Sequence, residues 1–176
     1  MATTPSTLAN FPIDNTWDMQ KPEDRVLIIS KILEDSPDAQ AKFSFIAQND
    51  TDESVRCSAI RRLLSLGDLH RLRKTSGLVK ATATQQLLEI LAGKIPSNYE
   101  DTERIEQIRK LSPTEIKQVG LLAKCKAAGN EALSAINEAE ELADLCLFAI
   151  SVHVRKNAAI KIHDKKLLKA LREKVK

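Results

Sequence analysis

Apolar residues recur three and four positions apart along most of this chain, and short polar turns separate the apolar stretches. Leu142 and Leu145 show this spacing in one such stretch, and Leu168 and Leu171 show it in a later one. Spacings of three and four residues place side chains on one face of a helix, whereas strands alternate at every second residue. The pattern therefore predicts an all-α protein built from short helices.

The apolar positions also repeat on a larger scale. Segment 133–145 aligns with segment 159–171 at a shift of 26 positions, and a segment that starts near residue 108 matches both after a one-residue gap. The apolar residues that coincide in the three units are Leu111, Ile116 and Val119, then Ile136, Leu142 and Leu145, then Ile162, Leu168 and Leu171. Repetition at a fixed period is the sequence signature of stacked helical arrays.

Each of these units contains a signal for the start of its second helix. Ser112-Pro113-Thr114-Glu115 has the residue types of a capping box with proline at the first helical position. Asn137 followed by Glu140 repeats that spacing, and Asp164 is the predicted cap of the last unit. Each unit is therefore predicted to be a pair of helices joined by a short turn.

The N-terminal half follows the same logic less regularly. Residues 36–38 (Ser-Pro-Asp) predict a helix start, the acidic stretch 50–53 precedes a helix predicted over 54–66, and Gly67-Asp68 predicts the break after it. We expect an irregular leader over residues 1–22 and a repeat array over residues 23–176, with a loop that interrupts the stacking near 94–100. The predicted helix pairs are residues 23–49, 52–75, 80–95, 101–126, 127–150 and 152–175.

Two segments carry a helix motif of a known repeat class. Residues 55–60 (Val-Arg-Cys-Ser-Ala-Ile) and residues 154–160 (Val-Arg-Lys-Asn-Ala-Ala-Ile) resemble the V-R-x-x-A-[IV] helix of HEAT-type repeats, in which an acidic turn like Asp52-Glu53 precedes the helix. The short units also resemble the HEAT-like repeats near the N-terminus of a family of long bacterial proteins that carry a helical domain of unknown function. The resemblance covers most of the chain and implies an α-solenoid, a superhelix of short HEAT-like helix pairs. It implies no catalytic residue, and only Arg56 and Arg155 carry over, as repeat-type arginines.

The composition supports a folded helical chain and indicates in which cellular compartment the protein is expected. The chain is 43% hydrophobic and 29% charged but only 3% aromatic, so Leu, Ile, Val and Ala must build the core. No apolar run approaches the roughly 20 residues that span a bilayer, and the N-terminus lacks a secretory signal, so we predict a cytoplasmic protein without a membrane partner. The irregularly spaced Cys57, Cys125 and Cys146 are interpreted as small buried hydrophobes in a reducing compartment.

Charge is unevenly distributed, although the formal net charge is only +3. Residues 55–80 contain seven basic and one acidic residue, and residues 151–176 contain nine basic and two acidic residues. Basic zones bind phosphates or acidic proteins. The candidate basic patch consists of Arg56, Arg61, Arg62, Arg71, Arg73, Lys74, Arg155, Lys156, Lys161, Lys165 and Lys169.

Candidates for catalysis or metal binding are weak. None of His70, His153 and His163 has a Cys, Ser or carboxylate partner at a recognised spacing, and each is interpreted as structural. The acidic residues Glu138, Glu140 and Glu141 are explained by the positive end of a helix dipole. We therefore predict no enzyme activity, no cofactor and no metal.

The predicted function is a non-enzymatic scaffold that binds another protein or another part of its own full-length chain. The alternative is a HEAT-like repeat protein that binds nucleic acid through its basic residues, although the basic blocks lack the aromatic platforms that single-strand binding uses. The leader contains Phe11, Ile13 and Trp17, which are predicted to cap the array and could instead bind a partner. The basic helix that stops at Lys176 has no evident C-terminal cap, which is typical of a piece of a longer protein.

Overall fold

The structure is a computed structural model that describes residues 16–17, 19–33 and 38–174. These residues form eleven α-helices and no strand, which confirms the all-α prediction. No helix among them is long and apolar enough to cross a membrane. The helices are α1 (Pro22–Lys31), α2 (Ala39–Asn49), α3 (Glu53–Ile60), α4 (Leu66–Leu72), α5 (Gly77–Leu91), α6 (Asp101–Ile108), α7 (Pro113–Leu122), α8 (Lys126–Ala135), α9 (Ala139–Phe148), α10 (Val152–Lys161) and α11 (Lys165–Lys174).

The chain forms two compact units, Met1–Gln86 and Leu87–Lys176. In the first unit α3 packs against both α1 and α2. The first part of α5 also lies along α3, because the Thr82 hydroxyl donates to Cys57 Sγ over 3.4 Å and the Gln86 side chain donates to the Leu63 carbonyl over 3.0 Å. Helix α3 is therefore the centre of this unit.

In the second unit each helix contacts the next helix but one. Helix α8 touches both α6 and α10, and α9 touches both α7 and α11, while α7–α8 and α9–α10 contacts join the two series. Ion pairs follow the same connections: Arg109 Nε lies 2.8 Å from Glu131 of α8, and Lys117 Nζ of α7 lies 2.6 Å from Asp144 of α9. The unit is thus two interlocked series, α6-α8-α10 and α7-α9-α11.

The residues that repeat in the sequence form the core of this unit. Leu142, Leu145 and Ile162 belong to its buried cluster, and Leu168 packs against that cluster while half exposed. Ile136 and Ile162 end α8 and α10 in the same way, since each N–H donates over 3.2 Å to the carbonyl four residues earlier. Ile136 and Ile162 therefore occupy matching positions at the ends of their helices.

Two of the three predicted caps in this unit are confirmed. The Glu115 carboxylate accepts the Ser112 backbone N–H over 2.9 Å, as a capping box requires, and Asp164 accepts the backbone N–H groups at the start of α11. The prediction for Asn137 is wrong, because the N-cap of α9 is Glu138 and its side chain makes no capping bond. Helix α8 ends at its cap Ile136, so both Asn137 and Glu138 are needed for the turn.

The predicted helix over residues 54–66 is also interrupted. Helix α3 ends at Ile60, and α4 begins at Leu66 after its N-cap Ser65, so Gly67 and Asp68 lie inside α4 rather than at a break. The predicted start at 36–38 is described only from Asp38 onward, which precedes α2 as its N-cap. The predicted pair at 80–95 lies mostly in the single helix α5, and the predicted loop at 94–100 is observed before α6.

Long-range side chains explain the break between α3 and α4. The Gln40 side chain donates to the Arg62 carbonyl over 3.1 Å and accepts the Leu64 N–H over 2.7 Å, while Gln86 binds the Leu63 carbonyl. Side-chain partners replace the hydrogen bonds that a continuing helix would supply. The chain can therefore leave the helix here while the carbonyls of Arg62 and Leu63 and the N–H of Leu64 keep hydrogen-bond partners.

Helix α3 begins at a well-formed cap. The Asp52 carboxylate accepts the Ser54 hydroxyl over 2.5 Å and the N–H groups of Ser54 and Val55 over 2.9 and 3.1 Å. These bonds, the Ser54 hydroxyl first, lower the pKa of Asp52 below its ordinary value of 3.8. The cap therefore favours the ionised carboxylate.

We expect this cap to make the chain sensitive to acid. Because the pKa of Asp52 is lower in the folded state, its stabilising effect is present above the unfolded value and is lost as pH falls through the folded value. A side-chain NMR titration should place the pKa of Asp52 below 3.8. An Asp52→Asn variant should lose less free energy of unfolding than the wild type as the pH falls below 3.8. The same acid dependence in both proteins would contradict the stabilising role of the Asp52 carboxylate.

Candidate functional site

Arg56 and Arg155 make the same pair of backbone contacts, each with the turn before its own helix. Arg56 Nη1 donates to the carbonyls of Asp50 and Thr51, six and five residues earlier, over 2.7 and 3.1 Å. Arg155 Nη1 donates to the carbonyls six and five residues before it, over 2.6 and 3.2 Å. Each arginine therefore bonds the turn that ends the preceding helix, α2 in one case and α9 in the other.

Two further residues of the candidate basic patch bind the ends of helices. Arg62 Nη2 donates to the carbonyl of Ile32, the C-cap of α1, over 2.8 Å. Lys161 Nζ donates to the carbonyls of Leu133 and Ile136 at the end of α8, over 2.7 and 2.5 Å. Cations stabilise the negative end of a helix. Both side chains therefore have a structural role that sequence reasoning did not identify.

The rest of the patch is divided between the two units. Arg71 pairs with Asp68 over 2.8 Å and, with Arg56 and Glu53, lines a cavity of about 470 Å³ in the first unit. Arg73 is half-buried. The exposed members are Arg61, Arg71 and Lys74 in the first unit and Lys156, Lys165 and Lys169 in the second. The structure thus places exposed basic residues in both units and assigns several of the others to contacts within the protein.

A shallow groove in the second unit contains part of the basic patch. It lies between α9, α10 and α11 and has a volume of about 470 Å³. Its apolar lining is formed by Cys146, Leu147, Ala159, Ile160, Leu168 and Leu171. Its basic rim consists of Arg155, Lys156 and Arg172. Sequence reasoning selected the first two rim residues but missed Arg172 and the apolar lining.

Helices α9 and α10 and the turn between them expose several large apolar side chains to solvent. Ile160 is 76% exposed and Phe148 is 68% exposed, and Ile150 and Val152 are also exposed. These four are half of the eight large apolar side chains that are exposed among the described residues. Contiguous exposed apolar surface commonly marks an interaction site.

Helical spacing aligns part of this surface. Val152, Lys156 and Ile160 are four positions apart on α10 and are all exposed, so they share one face of the helix. Val154 and Ala158 are buried in the core of the unit. On α11, Leu171 is buried while Lys165 and Lys169 point to solvent. The result is an uncovered surface that combines apolar and basic residues.

The three cysteines and three histidines, which the sequence analysis interpreted as structural, differ in their burial. Cys57 is buried as predicted, but Cys125 and Cys146 are only half-buried. Burial raises the pKa of the Cys146 thiol, which keeps it protonated as part of the apolar groove lining. His153 hydrogen-bonds to Asn130 over 2.8 Å, His70 is half-buried and His163 is exposed.

The acidic start of α9 acts on a neighbouring helix. Glu140 and Glu141 lie in its first turn, where the helix dipole favours negative charge. The hydrogen bond to Asp144, followed by the charges of Glu141 and Glu140, raises the pKa of Lys117. Among the residues that the structure describes, no three His, Cys, Asp or Glu side chains form a group that could hold a metal ion.

Comparisons of this chain with protein-family models, with curated proteins and with solved structures find no match. We therefore infer its function from the groove and from the repeated helix contacts.

Proposed function

We propose that this chain is a non-enzymatic HEAT-like scaffold, an α-solenoid whose groove between α9, α10 and α11 binds another protein or another part of its own full-length chain. The observation that carries the proposal is the uncovered apolar surface of this groove, with Ile160 76% exposed beside it. Burying one such side chain contributes about 1.5–3 kcal/mol, so a partner that covers several of them gains substantial affinity.

Two features support the solenoid arrangement. Contacts between alternate helices, α6-α8-α10 and α7-α9-α11, are what a stack of helix pairs produces. The equivalent bonds of Arg56 and Arg155 to the preceding turn are what a repeated helix pair with one motif would make. Both observations favour HEAT-like repeats over an irregular bundle.

Nucleic-acid binding is the second candidate, because α11 exposes several basic residues. These are Lys165, Lys166, Lys169, Arg172 and Lys174. Arg62 and Lys161, which were in the predicted patch, instead bind helix carbonyls. The groove lining contains no aromatic side chain on which a base could stack. We therefore prefer a protein partner.

Photo-crosslinking tests the proposed function directly. A photoreactive phenylalanine analogue at position 160 should give a discrete crosslinked protein adduct in cells that produce the full-length protein. The same analogue at position 78 is the matched control, since Leu78, like Ile160, is an exposed apolar residue of a helix, at 51%. Equal crosslinking yields at the two positions, no crosslink from position 160 either to another protein or within the chain, or an adduct with nucleic acid would contradict the proposal.

A further inference from the structure

We infer that the occupant of the groove is an acidic amphipathic helix of a partner protein. This inference rests on the proposed function and specifies the chemistry of the partner. It follows from three properties of the surface formed by α9, α10 and α11, which are its shape, its apolar length and its charge.

The shape and apolar length of the surface fit a helix. Helix-in-groove recognition places apolar residues of the ligand, three and four positions apart, against an apolar floor between receptor helices. On α10, Val152 and Ile160 are eight positions apart, which is about 12 Å along a helix axis. Ile160 lines the groove with Leu147 and Leu168, and Val152 continues the same face of α10 beyond the lining, so this surface matches about two turns of an amphipathic helix.

The positive charge of the surface indicates that the ligand carries negative charge. Arg155, Lys156 and Arg172 form the rim, and the segment 151–176 contains nine basic residues against two acidic ones. Arg155 already donates to two backbone carbonyls, so Lys156 and Arg172 are the rim cations best placed to meet a ligand carboxylate. Complementary charge gives specificity and speeds association. A basic helix would meet repulsion along this rim.

The surface fits a membrane less well. A helix that binds in the plane of a bilayer inserts its apolar face into the lipid. The apolar face of α11 is occupied within the protein, because Leu171 is buried and Leu167 and Leu168 pack against the core of the unit. The exposed Ile160 and the half-buried Leu147 instead line a concave groove, which matches a protein segment.

The test is binding of designed helical peptides to the intact chain, followed by fluorescence anisotropy. The first peptide has about 18 residues, with leucine three and four positions apart and glutamate on the other positions. One matched peptide has glutamine in place of glutamate, a second has lysine, and a third keeps the glutamates but scrambles the leucines. We expect the first peptide to bind at least about tenfold more tightly than the others, and its affinity to fall as salt is raised.

Variants of the protein locate the site. Ile160→Asp and the double change Lys156→Glu with Arg172→Glu should each weaken binding of the first peptide by about tenfold or more. Lys74→Glu, an exposed basic residue of the first unit, is the matched control and should leave binding unchanged. Circular dichroism checks that each variant keeps its helical content.

The possible results separate the inference from the proposed function. Equal binding of the glutamate and glutamine peptides, with no effect of the Lys156 and Arg172 changes, would overturn the acidic partner but leave a protein-binding groove. No binding by any peptide would overturn the inference, and crosslinking at position 160 would still decide the proposed function. Displacement of the peptide by duplex DNA or by anionic vesicles would overturn it in favour of those ligands.

Discussion

Replacement of Asp50 by alanine is expected to lower the free energy of unfolding by about 3–5 kcal/mol. Asp50 is buried, and its carboxylate lies 3.1 Å from Arg25 Nη2 and accepts the Trp17 indole N–H over 2.7 Å. It also accepts the Asp52 backbone N–H over 2.9 Å. The change leaves a buried guanidinium without its carboxylate, and a buried charge that loses its partner is strongly destabilising.

The bond from the Trp17 indole to Asp50 also supplies a reporter of this buried cluster. Trp17 is the only tryptophan of the chain and is 3% exposed. Phe11 and Ile13, the other large apolar residues of the predicted cap, lie outside the described residues. Urea unfolding followed by tryptophan fluorescence therefore measures both global stability and the environment of Trp17.

Asp68→Ala is the matched control for this experiment. Asp68 also pairs with an arginine, but the Arg71 side chain is 64% exposed, so the expected loss is below about 1 kcal/mol. A Trp17→Phe variant removes the indole donor and part of the buried ring but keeps the Arg25–Asp50 ion pair, so it should cost less than Asp50→Ala. Because this variant contains no tryptophan, its unfolding is followed by circular dichroism. Equal losses for Asp50→Ala and Asp68→Ala would show that the buried cluster does not stabilise the fold as described.

Local signals explain why parts of the fold could be predicted from the sequence. The Ser112–Glu115 capping box and the Asp164 cap involve residues within three positions of each other, so their types and spacing indicated these two bonds. The same spacing at Asn137 and Glu140 gave no cap, because the turn after α8 shifts the N-cap to Glu138. The buried positions could also be predicted from the spacing of apolar residues, because each helix must bury one face. Such features do not depend on which distant residue lies opposite.

Long-range contacts explain what the sequence did not predict. The break after Ile60 depends on Gln40 and Gln86, which are more than 20 positions away from the backbone groups that they bind. Lys161 appeared as a surface cation, but its Nζ binds a carbonyl 25 positions earlier. The apolar lining of the groove was missed for a related reason, since a leucine or isoleucine in the sequence does not reveal whether a neighbouring helix covers it.

Gly93 ends α5 and leaves space for the close approach of the turn before α8. Its φ is +70°, and the N–H groups of Gly93 and Lys94 donate to the carbonyls of Ile90 and Glu89 over 3.0 and 2.9 Å. This is the hydrogen-bond pattern of a Schellman motif, in which glycine takes the left-handed conformation. The Cys125 backbone N–H also donates to the Ala92 carbonyl over 3.1 Å, which brings the turn against this end of α5.

Gly93→Ala is therefore expected to lower the free energy of unfolding by about 2–4 kcal/mol, from left-handed strain together with overpacking. An added Cβ would lie 2.7 Å from Cys125 Cβ and 3.1 Å from the Cys125 backbone nitrogen, and backbone cannot rotate away as a side chain can. Gly67→Ala is the matched control: its Cβ would meet only Ser65 Oγ, at 3.9 Å, and helix propensity should raise stability by about 0.5 kcal/mol. Urea unfolding compares the two variants. If both alanines have the same small effect, the α5 terminus tolerates a side chain and the close approach of Cys125 does not constrain it.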